Sequence, residues 1–215
     1  REPTTAELQY LQAVAFLETT YGNGWKGEMV GSNNWGAVHC TPKQEKDDTF
    51  FGLLRGNTGV NIGGTRISAG RCISYTDTHS DGSKYSQTFR SYATPEDGAR
   101  DVVKNIFKQR GVSKALESGS IYDASLEMRR GHYYGGWCPE ATKKYGAKVA
   151  RESEQTPDKN EGTLACEREA VTTHAEKVQG VINDIAVSNG DTSKPPLGTF
   201  DSALSKYQQK QQEKA

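Results

Sequence analysis

Glu18 is the residue whose type and position in this sequence most clearly indicate chemistry. Four apolar residues precede it at intervals of three and four, the spacing of one helix face: Leu8, Leu11, Val14 and Ala15. Loss of hydration disfavours an ionised carboxylate, so we expect the pKa of Glu18 to be raised. A carboxyl that keeps its proton near neutral pH can protonate a leaving group. The alternative is a solvated glutamate in a frayed last turn, before Gly22 and Gly24.

A second stretch, Gly31 to Val38, combines small, amide and aromatic side chains (GSNNWGAV). The amides of Asn33 and Asn34 can bond neighbouring backbone, or they can present donors and acceptors to a ligand. Trp35 offers a flat apolar face on which a sugar ring can stack. The stretch is therefore either an ordinary Asn-rich turn or part of a binding site.

Three motifs in a fixed order resemble the lysozyme-like glycoside hydrolases that cut bacterial peptidoglycan, and the glucosaminidase branch most closely. They are LETTYG at residues 17–22, SNNWG at 32–36 and FRSYATPE at 89–96. The resemblance covers roughly residues 5–150. It implies a lysozyme-like α+β fold, mostly helical with a small β-hairpin lobe, and a cleft that holds Glu18.

By this resemblance the chain cleaves β-1,4 glycan bonds of peptidoglycan, with Glu18 as the general acid. The family commonly places a second acidic residue on the first strand of the hairpin, where Asp77 stands in this sequence. Asp47, Asp48 and Asp81 are the other carboxylates to consider, although a solvated loop and a turn explain them more simply. Seven residues are predicted to bind substrate: Tyr21, Ser32, Asn33, Asn34, Trp35, Tyr133 and Tyr134. For Tyr133 and Tyr134, simple packing of the rings before Cys138 is an equal alternative.

Other functions stay open. Lytic transglycosylases share the helix-end glutamate and the general fold, and they release anhydro-sugar ends. A wall-binding or virion structural protein could keep the fold without activity. The pair His39-Cys40 could indicate a cysteine peptidase, but adjacent residues rarely bring a thiolate and an imidazole within mutual reach.

Composition narrows the range of partners. The 215 residues include 27 basic and 27 acidic side chains, so no basic field favours nucleic acid. Hydrophobic content is 33%, mean hydropathy is −0.78, and no apolar run is long enough to cross a membrane. The sequence opens on polar residues, without a signal peptide, which a trimmed mature chain would also lack. We expect a monomer acting on peptidoglycan strands.

The four cysteines are Cys40, Cys72, Cys138 and Cys166, and no two of them form a Cys-x-x-Cys pair. This argues against a zinc or iron–sulfur site, and neither a metal nor a cofactor is expected. Two disulfides in an oxidising compartment are the preferred interpretation, with Cys40–Cys72 and Cys138–Cys166 as one of three connectivities. The chain would then be secreted or periplasmic, from a bacterium or its phage. Four reduced cysteines are the alternative.

Periodicity predicts a first helix from Thr4 or Thr5 to about Thr20, a hairpin with strands at 72–77 and 85–92, and a helix starting at Pro95. Residues 113–117 are predicted to form a short turn or helix, and further helical patterns lie at 121–129, 139–152 and 164–187. Residues 153–163 read as a linker or exposed loop, and 205–215 as a solvated helix or disordered end. We predict a hydrolase domain over residues 1–190 and a polar C-terminal tail over 191–215.

Overall fold

A computed structural model describes residues 4–20, 24, 29, 31–40, 60–62, 65–67, 72–78, 84–92, 94–103, 111–135, 137–189 and 195–214. Within these residues the chain forms eight helices: α1 Thr5–Thr19, α2 Pro95–Val102, α3 Val112–Ser118, α4 Ile121–Arg130, α5 Pro139–Tyr145, α6 Lys148–Gln155, α7 Glu161–Asn189 and α8 Phe200–Gln212. It also forms four strands: β1 Val60–Ile62, β2 Thr65–Ile67, β3 Cys72–Thr78 and β4 Lys84–Arg90. The prediction of a mostly helical chain with a small antiparallel hairpin is confirmed.

Contacts divide the chain into two compact units. One, here the hairpin unit, spans Val14–Lys104, and the other, the helical unit, comprises Arg1–Ala13 and Asn105–Ala215. Helix α1 contributes its first part to the helical unit and its last turns, with Glu18, to the hairpin unit. The division predicted at residue 190 stays a prediction.

The hairpin unit is built on the antiparallel pair β3–β4, whose register sets Cys72 opposite Arg90 and Asp77 opposite Tyr85. Alternation along the strands places Ile73 and Phe89 on one face, where both pack with Met29 in a small apolar core. His39 forms a bridge to Phe89, and the backbone N–H of Cys40 donates to the carbonyl of Thr88. Residues 39 and 40 therefore lie along β4.

In the helical unit, α4 packs against α3, α7 and α8, and most of its side chains are buried. A capping box starts this helix: the Ser120 hydroxyl accepts from the Asp123 N–H, and the Asp123 carboxylate accepts from the Ser120 N–H. A buried ion pair joins α4 to α7, since Arg130 donates to both carboxylate oxygens of Glu167, at 2.9 and 2.7 Å. The Glu167 side chain is fully buried.

The single helix predicted over residues 139–152 is wrong. The structure breaks it into α5 and α6 at Gly146, which has a positive φ of 95°. Glycine adopts this conformation without steric cost, and so it ends helices readily. Helix α6 then runs on to Gln155 and α7 begins at Glu161, so the loop predicted at 153–163 shortens at both ends.

The C-terminal end forms a helix, one of the two alternatives left open by the sequence. In α8, Phe200 and Ala203 are buried, and Lys206 reaches the Asp123 carboxylate at 3.0 Å. The Thr199 hydroxyl caps the helix by accepting from the Ser202 N–H. None of the helices that the structure describes combines the length and hydrophobicity that a bilayer crossing requires.

The prediction of two disulfides is confirmed, and the structure selects one of the three connectivities that the sequence left open. Cys40 bonds Cys72 across 32 residues in the hairpin unit, and Cys138 bonds Cys166 across 28 residues in the helical unit. Cys138 and Cys166 lie in a buried cluster with Ala141 and Val149, where α5, α6 and α7 meet. Two disulfides are consistent with an extracellular protein.

We predict that the Cys138–Cys166 bond stabilises the helical unit by restricting the unfolded chain. Replacing both cysteines by alanine should lower the free energy of unfolding by about 3 kcal/mol, measured by urea denaturation. Intact-mass analysis of the wild-type chain should show no alkylated thiol until a reductant is added. Four thiols alkylated without reductant would contradict the pairing.

Candidate active site

Glu18 lies in the last turn of α1, one residue before the helix ends at Thr19. Its side chain is exposed, yet desolvation raises its pKa from 4.5 to about 7. These two properties coexist when water reaches a carboxyl from one side while protein displaces bulk solvent from the others. The carboxyl therefore holds a proton over much of the neutral range and stays accessible, which a proton donor to a bound substrate requires.

The Asn-rich stretch forms a tight loop, and Asn34 is the residue that shapes it. Asn34 is fully buried, and its amide nitrogen donates to the carbonyls of Val38 and Arg90, at 3.0 and 2.9 Å. Its amide oxygen accepts from the Val38 N–H at 2.9 Å. Each such bond contributes about 1 kcal/mol net, and a buried amide left unbonded costs more. Both amide hydrogens are thus used on backbone, so Asn34 holds the loop.

Asn33 and Ser32 join the same loop to the chain that leaves β4. The Asn33 amide donates to the Tyr92 carbonyl at 2.9 Å, and the Tyr92 N–H donates to the Ser32 carbonyl at 2.7 Å. Asn33 has a positive φ of 54°, a conformation that asparagine tolerates better than most residues. Gly98 of α2 lies directly against it, because a Cβ at Gly98 would stand 1.8 Å from the Asn33 carbonyl oxygen.

The loop also bonds the end of α1, beside Glu18. The Thr19 hydroxyl donates to the Trp35 carbonyl at 2.8 Å. Thr19 is buried, whereas Trp35 is half-buried and keeps part of its side chain at the surface. The structure therefore brings Glu18 into the same hydrogen-bonded segment as the SNNWG motif, through its neighbour in the chain.

A buried polar cluster joins β4 and the residues after it to α2. Arg90 donates to the Asp101 carboxylate at 2.6 Å, and the Tyr92 hydroxyl donates to the same oxygen. The side chains of Arg90 and Asp101 are 8% and 3% exposed. Burial raises the pKa of Tyr92 far above its usual range, and the adjacent Asp101 adds to this. Removing one partner of a buried ion pair typically costs about 3–5 kcal/mol, because the other charge is then left buried without a partner.

Asp101 is the residue that the sequence analysis missed. The motif from Phe89 to Glu96 resembles a family motif, but the motif does not indicate that Arg90 and Tyr92 both bind the carboxylate of Asp101. A signal was present in the sequence: Asp97 and Asp101 are four apart on one helix face, with Gly98 between them. Both aspartates are buried, and Asp97 completes the helix cap with Thr94.

Two of the predicted site residues fall outside this description. Tyr21 lies outside the described residues, as do the alternative carboxylates Asp47, Asp48 and Asp81. Asp77 is placed on β3 by its backbone pairing with Tyr85, but its side chain lies outside the description. The roles of Tyr21 and Asp77 therefore stay predictions.

Tyr133 and Tyr134 belong to the helical unit, in the loop after α4. The Tyr134 hydroxyl donates to the Ser125 carbonyl at 2.9 Å, and its ring stacks on the His174 ring with centroids 4.3 Å apart. Burial lowers the pKa of His174 to about 4, so this ring is neutral at pH 7. Tyr134 is thus tied into the helical core, while Tyr133 is half-buried. Their substrate contacts stay predictions.

Among the described residues, no group of three or more His, Cys, Asp or Glu side chains is arranged to hold a metal ion. Comparison of the chain with protein-family models, with curated proteins and with solved structures finds no match. The chemistry of the site is therefore argued from its own residues.

Because the pKa of Glu18 is raised in the native state, the free energy of unfolding should depend on pH. The native carboxyl keeps its proton up to about pH 7, whereas the unfolded chain releases it near 4.5. Between these values the native state binds more protons, so the Glu18 contribution to the free energy of unfolding falls as pH rises. Glu18→Gln removes this contribution, and the variant should gain stability relative to wild type over that window and level off above it.

Urea denaturation at several pH values across the same window measures the difference. Glu176→Gln, an exposed glutamate on α7, is the matched control and should run parallel to wild type. A Glu18→Gln profile that also runs parallel to wild type would show that the carboxyl titrates normally.

Proposed function

We propose that this chain is a glycoside hydrolase that cleaves β-1,4 glycan bonds of bacterial peptidoglycan, in a lysozyme-like arrangement, with Glu18 as general acid. The observation that carries the proposal is an exposed carboxyl at a helix end with a pKa near 7. Support also comes from the order of the three motifs, since the second and third form one hydrogen-bonded assembly at the end of α1. The two disulfides fit a protein that works at the cell wall.

In the proposed reaction, Glu18 donates its proton to the glycosidic oxygen as the bond from that oxygen to the anomeric carbon breaks. The departing sugar leaves with a new hydroxyl, and positive charge accumulates on the other ring in an oxocarbenium-like transition state. Water then attacks the anomeric carbon and gives up a proton to a carboxylate, which completes hydrolysis. Trp35, partly exposed beside the end of α1, is the residue we propose to contact the sugar.

The second carboxylate decides the course of hydrolysis. An inverting enzyme places its base about 6.5–9.5 Å from the acid, and a retaining enzyme places its nucleophile about 5–5.5 Å away. Asp77, on β3, is our candidate for this role. In a lytic transglycosylase no second carboxylate is needed, because a hydroxyl of the substrate attacks and Glu18, then ionised, accepts its proton.

We predict that Glu18→Gln abolishes digestion of purified sacculi while the protein stays folded. Glutamine keeps the shape of the side chain but cannot donate the proton, so a loss of about 10²–10⁴-fold or more is expected. Release of soluble fragments measures activity, circular dichroism reports folding, and Glu176→Gln should digest sacculi like wild type. Near-full activity of folded Glu18→Gln would remove the general acid, and a wild-type chain that leaves sacculi intact would favour a structural or wall-binding protein.

A second substitution, Asp77→Asn, separates hydrolysis from transglycosylation. If Asp77 activates water or forms the covalent intermediate, its neutralisation should slow cleavage by about 10²-fold or more and leave glycan binding intact. If Glu18 acts alone, the substitution should cost little, and mass spectrometry should find anhydro-sugar ends. A mild effect together with ordinary reducing ends would exclude Asp77 from the mechanism.

A further inference from the structure

Asp101 fixes two residues of the chain that leaves β4. Its carboxylate oxygen Oδ2 accepts from the Arg90 guanidinium at 2.6 Å and from the Tyr92 hydroxyl. All three residues are buried, at 7% exposed or less. Because water is largely excluded from this cluster, the interactions of the carboxylate are strengthened and depend on its charge.

The backbone of Arg90 and Tyr92 also forms hydrogen bonds with the Asn-rich loop. The Arg90 carbonyl accepts from the Asn34 amide, and the Tyr92 carbonyl accepts from the Asn33 amide, both at 2.9 Å. The Tyr92 N–H donates to the Ser32 carbonyl at 2.7 Å. A shift of this backbone segment would therefore displace the loop.

The loop in turn holds the helix end that carries Glu18. The Trp35 carbonyl accepts from the Thr19 hydroxyl at 2.8 Å, and Thr19 follows Glu18 directly. Gly98 of α2 packs against the Asn33 carbonyl so closely that a methyl group at position 98 would clash with it. The connection from Asp101 to the residue beside Glu18 thus consists of hydrogen bonds between buried or half-buried groups.

We propose that Asp101 is a positioning residue for Glu18, acting through Arg90, Tyr92 and the SNNWG loop; this inference rests on the proposed function. Neutralising Asp101 removes the counter-charge that it supplies to the buried Arg90 guanidinium. The backbone at Arg90 and Tyr92 then shifts so that the guanidinium can reach water, and the loop above it loosens. Water gains access to the end of α1, and the Glu18 carboxyl becomes better hydrated and less precisely placed.

The test is the titration of Glu18, followed by NMR of carboxyl-labelled glutamate in wild type and in Asp101→Asn. We expect the pKa of Glu18 to fall by about one unit or more from its wild-type value, towards that of a solvated glutamate. Under the proposed function, kcat for sacculus digestion should fall about tenfold or more with a smaller change in KM, because misplacement of a catalytic group affects the reaction step. The alkaline limb of the pH profile should move down with the pKa.

Glu167→Gln is the matched control. It also neutralises a buried carboxylate that binds an arginine, Arg130, but it does so in the helical unit. This variant should lose stability yet keep the wild-type titration of Glu18 and the wild-type kcat. Tyr92→Phe is the second variant: it keeps the buried ring and removes only the hydroxyl, and it should lower the Glu18 pKa by a smaller amount.

The outcomes separate the two proposals. An unchanged Glu18 pKa in folded Asp101→Asn, or in Tyr92→Phe if the first variant does not fold, would overturn the positioning role. An equal shift in Glu167→Gln would also overturn it, because general loss of stability would then explain the effect. If wild type does not cut sacculi, the proposed function fails, while the titration still decides whether Asp101 positions Glu18.

Discussion

The hairpin unit depends on one buried negative charge. Asp101 stands on a helix, and the groups that it binds, Arg90 and Tyr92, stand on a strand and the residues after it. A charge removed from water is costly unless its partners are well placed, and here a guanidinium and a hydroxyl meet the same oxygen. This requirement fixes helix α2 and strand β4 against each other. The loop between Ser32 and Val38 then has a defined surface on which to fold.

Around this centre, polar groups serve two different purposes. The amide of Asn34 is buried and donates both of its hydrogen bonds to backbone carbonyls, so it fixes the shape of the loop. Glu18, by contrast, is exposed but desolvated enough to keep a proton near pH 7. A polar residue that stabilises a loop gains from complete burial, whereas a proton donor must meet its substrate. The structure separates these roles within one short stretch of chain.

The helical unit contains a disulfide and a buried ion pair of its own. The Cys138–Cys166 bond lies where α5, α6 and α7 pack, and the Arg130–Glu167 pair joins α4 to α7. The disulfide restricts the unfolded chain, and the ion pair leaves neither buried charge without a partner. Neither feature depends on the residues around Glu18.

Much of this could be predicted from the sequence, and the failures have physical causes. The first helix and the hairpin were predicted, since periodicity and a turn signal are local properties of the chain. Two disulfides were also predicted, but the cysteine count left three connectivities open, and the structure selects Cys40–Cys72 and Cys138–Cys166. The helix predicted over residues 139–152 failed because a glycine inside a helical pattern does not reveal whether it will adopt a positive φ, as Gly146 does. A raised pKa of Glu18 was expected, and desolvation does raise it. The apolar stripe from which this was argued is not buried along its length, however, because both Glu18 and Leu8, the first residue of the stripe, are exposed.

The site itself was predicted less completely. Asn33 and Asn34 were expected to bind either backbone or ligand, and the structure gives both of them backbone partners. Choosing between these roles required knowledge of which strand lies beside the loop. Asp101 was missed for the same reason, because its partners Arg90 and Tyr92 lie on another element and nothing in the local pattern connects them.

If Glu18 is the general acid, the rate of glycan cleavage depends on the protonation of its carboxyl. Fragment release from purified sacculi, followed by mass spectrometry, should slow as the pH rises through the pKa of Glu18, near 7, because the ionised carboxyl has no proton to give. We expect an alkaline limb centred at that pH, with new sugar ends in the released fragments. A rate that stays constant or increases from about pH 6 to 9, or sacculi that remain intact throughout, would contradict it.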